Sequence, residues 1–79
     1  MDKMMERTNK LLSIIVPAMN EEENIAALTA SVKDAMESNG IAYELIIIDD
    51  GSRDGTWDEI CREAQADSRV RGISFSRNF

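Results

Sequence analysis

Two compact β-branched runs, LLSIIVP (11–17) and YELIIIDD (43–50), stand on either side of a stretch whose apolar residues recur every three or four positions. The first has the composition of a strand buried on both faces, ended by Pro17, which has no N–H to give to a ladder. The second reads as another buried strand. Between them Ile25, Leu28, Val32, Ala35 and Met36 mark one face of an amphipathic helix. Asn20 is placed to cap that helix, and Glu21, Glu22 and Glu23 occupy its first turn, where carboxylates meet the positive end of the helix dipole. Asn39 and Gly40 supply the stop.

A second helix is expected from about Thr56 to Ala66, with Trp57, Ile60, Cys61 and Ala64 on its apolar face and Thr56 three residues before Glu59 as a capping box. VRGISFSRN (70–78) then alternates, with Ile73 and Phe75 on one side and Ser74 and Ser76 on the other, as a half-buried or edge strand does. The chain is therefore α/β, a three-layer β-α-β-α-β unit of Rossmann-like type. Helices of this length between strands favour a parallel sheet, and consecutive neighbours give the order 3-2-1. Residues 1–10 read as a flexible extension and 11–79 as the domain.

Parallel strands all end at one edge, and ligands of open α/β sheets bind outside that carboxyl edge. The order places Pro17 to Glu21, Asp49 to Ser52, and Ser76 to Asn78 along one rim. Turn chemistry accounts for much of it: Gly51 and Gly55 allow a tight turn, and Ser52 and Asp54 bond turn amides. It does not account for Asp49 beside Asp50, because adjacent carboxylates repel and one would suffice for a cap. Neighbouring strand residues point to opposite faces, so the pair divides its work, one acid for a ligand and one for the loop. Glu21 is a dipole-favoured first-turn residue or a carboxylate facing a ribose or base, and Arg77 is a phosphate contact or a solvated residue near a chain end.

Charge and composition exclude several classes. Nine basic and 15 acidic residues give a net charge of −6. Residues 1–10 carry +1 of this (Lys3, Arg7 and Lys10 against Asp2 and Glu6), leaving −7 on the rest. A nucleic-acid surface needs a basic stripe, so no nucleic-acid partner is expected. A nucleotide ligand stays open, since backbone amides or an ion can neutralise phosphates. The absence of His and the single Cys61 exclude a Cys/His zinc site, a Ser-His-Asp triad and an internal disulfide within these residues. MDKMMERTNK has no apolar core for a secretory leader, and the apolar runs are too short to cross a bilayer, so a cytoplasmic setting is expected.

LLSIIVPAMNEEENI, then YELIIIDDGSRDGT, then VRGISFSRNF resembles the N-terminal segment of the family-2 glycosyltransferases, within them the dolichyl-phosphate mannosyltransferase and bactoprenol glucosyltransferase group. The likeness covers residues 11–79. It implies the first half of a GT-A nucleotide-binding domain, with Pro17, Ala18 and Glu21 around the uridine or guanosine, Asp50 facing the base and Asp49 supporting the same loop. It implies an inverting transfer of a hexose from a UDP- or GDP-sugar with Mg²⁺ or Mn²⁺, and a polyprenyl (lipid) phosphate acceptor at the cytoplasmic membrane face. The metal-binding Asp-x-Asp motif of that family is expected beyond SRNF and is missing here, so no metal ligand or catalytic residue is assigned and the isolated chain is expected not to turn over.

Two other classes compete. A receiver-like signalling domain also pairs acids around Mg²⁺, but its pair follows the first strand, whereas IIIDD follows the second. A non-catalytic truncated α/β fragment is the other, self-associating through an exposed edge at strand 11–16. A dinucleotide site is weaker, since PAMNEE lacks the glycines that admit a pyrophosphate.

Overall fold

The computed structural model describes residues 11–75. β1 (Leu12–Ala18), β2 (Tyr43–Asp49) and β3 (Val70–Ser74) make one parallel sheet in the order β1-β2-β3, the 3-2-1 arrangement expected of consecutive neighbours. α1 (Ile25–Ser38) joins the first two strands and α2 (Thr56–Ala66) the last two, because a parallel pair needs a crossover to return the chain to its starting edge. The expected N-terminal extension and the Ser76-Arg77-Asn78 stretch lie outside the described residues.

The register puts Ile14, Leu45 and Val70 in one row and Val16, Ile47 and Gly72 in the next. These rows share a face, and that face carries the helices. Leu45, Ile47, Ile25 of α1 and Ile60 of α2 are all at or below 1% exposure and form one cluster with Ala18, Tyr43 and Val70. Burying such side chains contributes about 1.5–3 kcal/mol each, which a small domain needs. Thr29 is buried among them and gives its hydroxyl to the Ile25 carbonyl at 2.7 Å, whereas the buried Tyr43 hydroxyl has no hydrogen-bond partner among the described residues.

The opposite face carries Ser13, Ile15 and Pro17 of β1, Glu44, Ile46 and Ile48 of β2, and Arg71 and Ile73 of β3. Nothing among the described residues packs on it, so of three expected layers these residues hold two. This corrects the reading of LLSIIVP as buried on both faces: Leu12 is 45% and Ile15 60% exposed, while Ile14 and Val16 are half-buried against the core. β1 is an edge strand with one covered face, which is also how it accommodates Pro17 within the strand.

α1 begins later than its acidic run suggests. Glu22–Asn24 form a single 3-10 turn, the α-helix starts at Ile25, and no side chain caps it. Its end follows expectation: Gly40, at φ +65°, lets the Gly40 amide reach Glu37 O at 3.2 Å and the Ile41 amide reach Met36 O at 2.9 Å, a Schellman closure. Ala35 is exposed rather than part of the apolar face. α2 presses close to β3 at Gly72, where a β-carbon would lie 2.5 Å from Ile60 Cγ2.

At the sheet's amino edge Arg69 ties three elements together. Its guanidinium donates to both Asp67 oxygens at 3.0 Å, reaches Glu37 at 3.2 Å and lies 4.7 Å from the centre of the Tyr43 ring. The Arg69 contacts hold Asp67 below the usual carboxylate range, and burial pushes the Tyr43 phenol up.

Candidate functional site

The two loops at the carboxyl edge are stitched together residue by residue. Asp49, 2% exposed, ends β2 pointing inward, and its Oδ1 accepts from the Ser52 amide at 2.9 Å and the Ser52 hydroxyl at 2.6 Å. Gly51 turns between them at φ +90°, a conformation glycine adopts without a Cβ penalty. Ser52 Oγ in turn accepts from the Asn20 amide at 2.8 Å, and Asn20 Oδ1 accepts from the Arg53 amide at 2.9 Å. The Glu21 amide donates to Thr56 Oγ1 at 2.8 Å, and the Gly55 amide donates to Glu22 Oε1 at 3.1 Å.

Asn20 is therefore not the cap of α1. It sits at φ +54°, outside the helix, with both its amide and its side chain bonded to the β2–α2 loop. Thr56 likewise makes no capping box: its hydroxyl donates to Asp54 and accepts from Glu21, and no side chain bonds back at the start of α2 by the expected rule. Asp54 takes that duty, accepting the Thr56 amide at 3.0 Å on Oδ1 and the Glu22 amide at 3.3 Å on Oδ2. The Thr56 hydroxyl, and after it the amides, hold the Asp54 carboxyl below its ordinary value.

Asp50, one residue past the strand, is exposed where Asp49 is buried. It lines a cleft of about 460 Å³ together with Pro17, Ala18, Met19, Glu21, Ile48 and Phe75. Four of the five residues singled out from the motifs (Pro17, Ala18, Glu21 and Asp50) thus meet at one cleft, and the fifth, Asp49, lies behind it in the loop. Glu21 is steadied by Asn24, whose side-chain amide donates to Glu21 Oε1 at 2.8 Å.

Met19, Ile48 and Phe75 were not singled out. Ile48 shares the uncovered face with Pro17, and Phe75, just past the end of β3, lines the cleft with them, a meeting that takes shape only once three strands are aligned. Arg53, exposed on the second loop, is a rim cation among the described residues, whereas Arg77 lies outside them.

The cleft is an acceptor-lined recess with an apolar wall. Carboxylates only accept hydrogen bonds when ionised, so Asp50 and Glu21 suit a ligand presenting N–H or O–H groups, and Ile48, Pro17 and Phe75 suit a flat ring. Asp49 is committed to Ser52, and no group of three or more His, Cys, Asp or Glu among the described residues could hold a metal ion, which takes roughly six oxygen ligands.

The family model for glycosyl transferase family 2 matches residues 13–79, covering β1, both rim loops and β3. The chain belongs to glycosyl transferase family 2. That membership displaces the receiver-like reading. Among curated relatives, the undecaprenyl-phosphate 4-deoxy-4-formamido-L-arabinose transferase of Aeromonas hydrophila is 40% identical over 72 residues, spanning 89% of this chain and 22% of the relative. The enzyme of the same name from Shewanella sediminis is 42% identical over 69 residues, 86% of this chain and 21% of its own length. The glycosyltransferase CsbB of Bacillus subtilis is 44% identical over 69 residues, 87% and 21% respectively. The chain spans about a fifth of the length of these relatives. No helix among the described residues is long and apolar enough to cross a membrane.

Proposed function

We propose that this chain is the donor-nucleotide half-site of an inverting family-2 glycosyltransferase, taking the nucleoside of a UDP- or GDP-sugar in the cleft between the two rim loops. The observation that carries this is the division of the acid pair. Asp49 is buried and satisfied by Ser52, so it braces the loop, while Asp50 stands exposed on an apolar-walled cleft. In this reading Asp50 accepts from a base N–H, Glu21 accepts from a base or ribose hydroxyl, and Pro17 and Ala18 contact the nucleoside.

The acceptor we assign is a polyprenyl phosphate, after the undecaprenyl-phosphate transferases among the relatives, and the site of action is the cytoplasmic membrane face. The leaving diphosphate calls for Mg²⁺ or Mn²⁺, and residues 11–75 bring no acid cluster for it. Donor binding is thus the role given to this segment, and turnover is not.

The test is a two-dimensional amide NMR titration with UDP and GDP, each with and without Mg²⁺. The expected result is a set of shifts confined to Ala18, Glu21, Asp49, Asp50 and their loop neighbours, lost in Asp50→Ala. A dispersed spectrum that neither nucleotide disturbs would overturn the reading. A second reading, self-association, is favoured by one observation: β1 is a sheet edge whose Leu12 and Ile15 are exposed.

A further inference from the structure

We infer that Asn20 and Ser52 are positioning residues that clamp the Glu21 loop to the Asp50 loop, so that the two cleft carboxylates are presented as one rigid unit. The inference rests on the donor-site reading above. Asn20 is the sole non-glycine residue at positive φ among the described residues, and it directly precedes Glu21. Asn tolerates this left-handed conformation better than most residues, yet glycine would adopt it at no cost, so the turn alone does not call for a carboxamide.

What the carboxamide adds is a bond across the gap. With the backbone so turned, the Asn20 amide points at Ser52 Oγ, 2.8 Å away, while Asn20 Oδ1 receives the Arg53 amide at 2.9 Å. The two bonds run in opposite senses between the same two loops, 32 and 33 residues apart in sequence. The Ser52 hydroxyl donates to Asp49 Oδ1 at 2.6 Å, anchoring the clamp to the buried end of β2. Glu21 therefore follows directly from a residue held by the second loop, and Asp50 lies between the two anchors of that loop. An unclamped pair of loops would have to be ordered by the ligand, and that ordering cost weakens binding.

Three variants separate this from a merely local role. Asn20→Gly keeps the positive φ and removes the acceptor; Ser52→Ala removes the shared hydroxyl; Ser52→Thr keeps it. Binding of UDP and GDP is measured by amide NMR titration, together with amide hydrogen exchange. The loss of one hydrogen bond in Asn20→Gly, and of the two made by the hydroxyl in Ser52→Ala, is expected to weaken binding of the preferred nucleotide about five-fold or more, with recovery in Ser52→Thr. Exchange at Arg53 should quicken in Asn20→Gly, and at Asn20 in Ser52→Ala, each on the loop that was not altered, while Leu45 and Ile47 keep wild-type protection.

Wild-type affinity in both loss variants would overturn the positioning role and leave the donor site standing. A wild-type chain that binds neither nucleotide would overturn the donor site, and the positioning role with it. Unchanged Arg53 exchange in Asn20→Gly would refute the clamp whatever the nucleotides do.

Discussion

Replacing Gly72 with Ala sets a methyl group where α2 already lies. The new β-carbon would be 2.5 Å from Ile60 Cγ2, with Trp57 Cζ3 and Cη2 at 3.1 and 3.2 Å. Favourable carbon–carbon contact needs about 3.5–4.0 Å, so Ile60 has to retreat by roughly 1 Å, and Trp57 narrows the ways of doing so. Ile60 is fully buried in the core against the sheet, which makes retreat costly. Overpacking of this kind costs about 1–3 kcal/mol, and the lower chain entropy of unfolded Ala returns about 0.4–1 kcal/mol.

The 2.5 Å approach puts the overpacking cost at the upper end of that range, so a net loss of about 2 kcal/mol follows, which in a domain of this size lowers Tm by roughly 8–16 °C. The assay is thermal unfolding followed by circular dichroism and by the fluorescence of Trp57, the chain's single tryptophan, which sits at the altered contact. Ile60→Leu removes the offending Cγ2 while keeping the carbon count, so the double variant should regain part of the loss and the cycle should show coupling. A Tm at or above wild type in Gly72→Ala, or no coupling with Ile60→Leu, would sink the account of how α2 seats on β3.

Two further outcomes follow from charge and edges. Asp54 and Asp67 are held below their ordinary value of 3.8, so the stability they contribute is present above about pH 4 and is lost as acid titrates through their folded values; Tyr43 is raised from 10.0, so its contribution is present below about pH 10 and is lost above it. Urea midpoints should fall on both sides of a plateau between these limits, and midpoints that rise below pH 4 would contradict the assignment. If β1 templates association, sedimentation velocity should show dimers or larger species that Ile15→Lys disperses, and a monomer at high concentration would refute it.

Element type and order were legible in the chain itself. The β-branched runs, the three-and-four spacing from Ile25 to Met36, and the Thr56-to-Ala66 pattern each encode one element, because burial on a single face imposes the period. The division of Asp49 from Asp50 was legible for the same reason, since neighbours on a strand face opposite ways. Local signals misled where a long-range partner competed. Asn20 and Thr56 have the right identity and spacing for caps, but Ser52, Arg53 and Glu21, more than 30 residues away from them in sequence, offer the bonds they make instead.

Periodicity fixes which residues of one element lie together, and it is silent about which elements adjoin. The sequence by itself determined the α/β alternation, the carboxyl rim and the acids on it. Only the tertiary structure decided that both helices cover one face, leaving Ile15 exposed on the other, and that Ile48 and Phe75 complete the cleft with Asp50. Those outcomes depend on sheet register and crossover geometry, which are set by packing between segments distant in the chain rather than by any residue's neighbours.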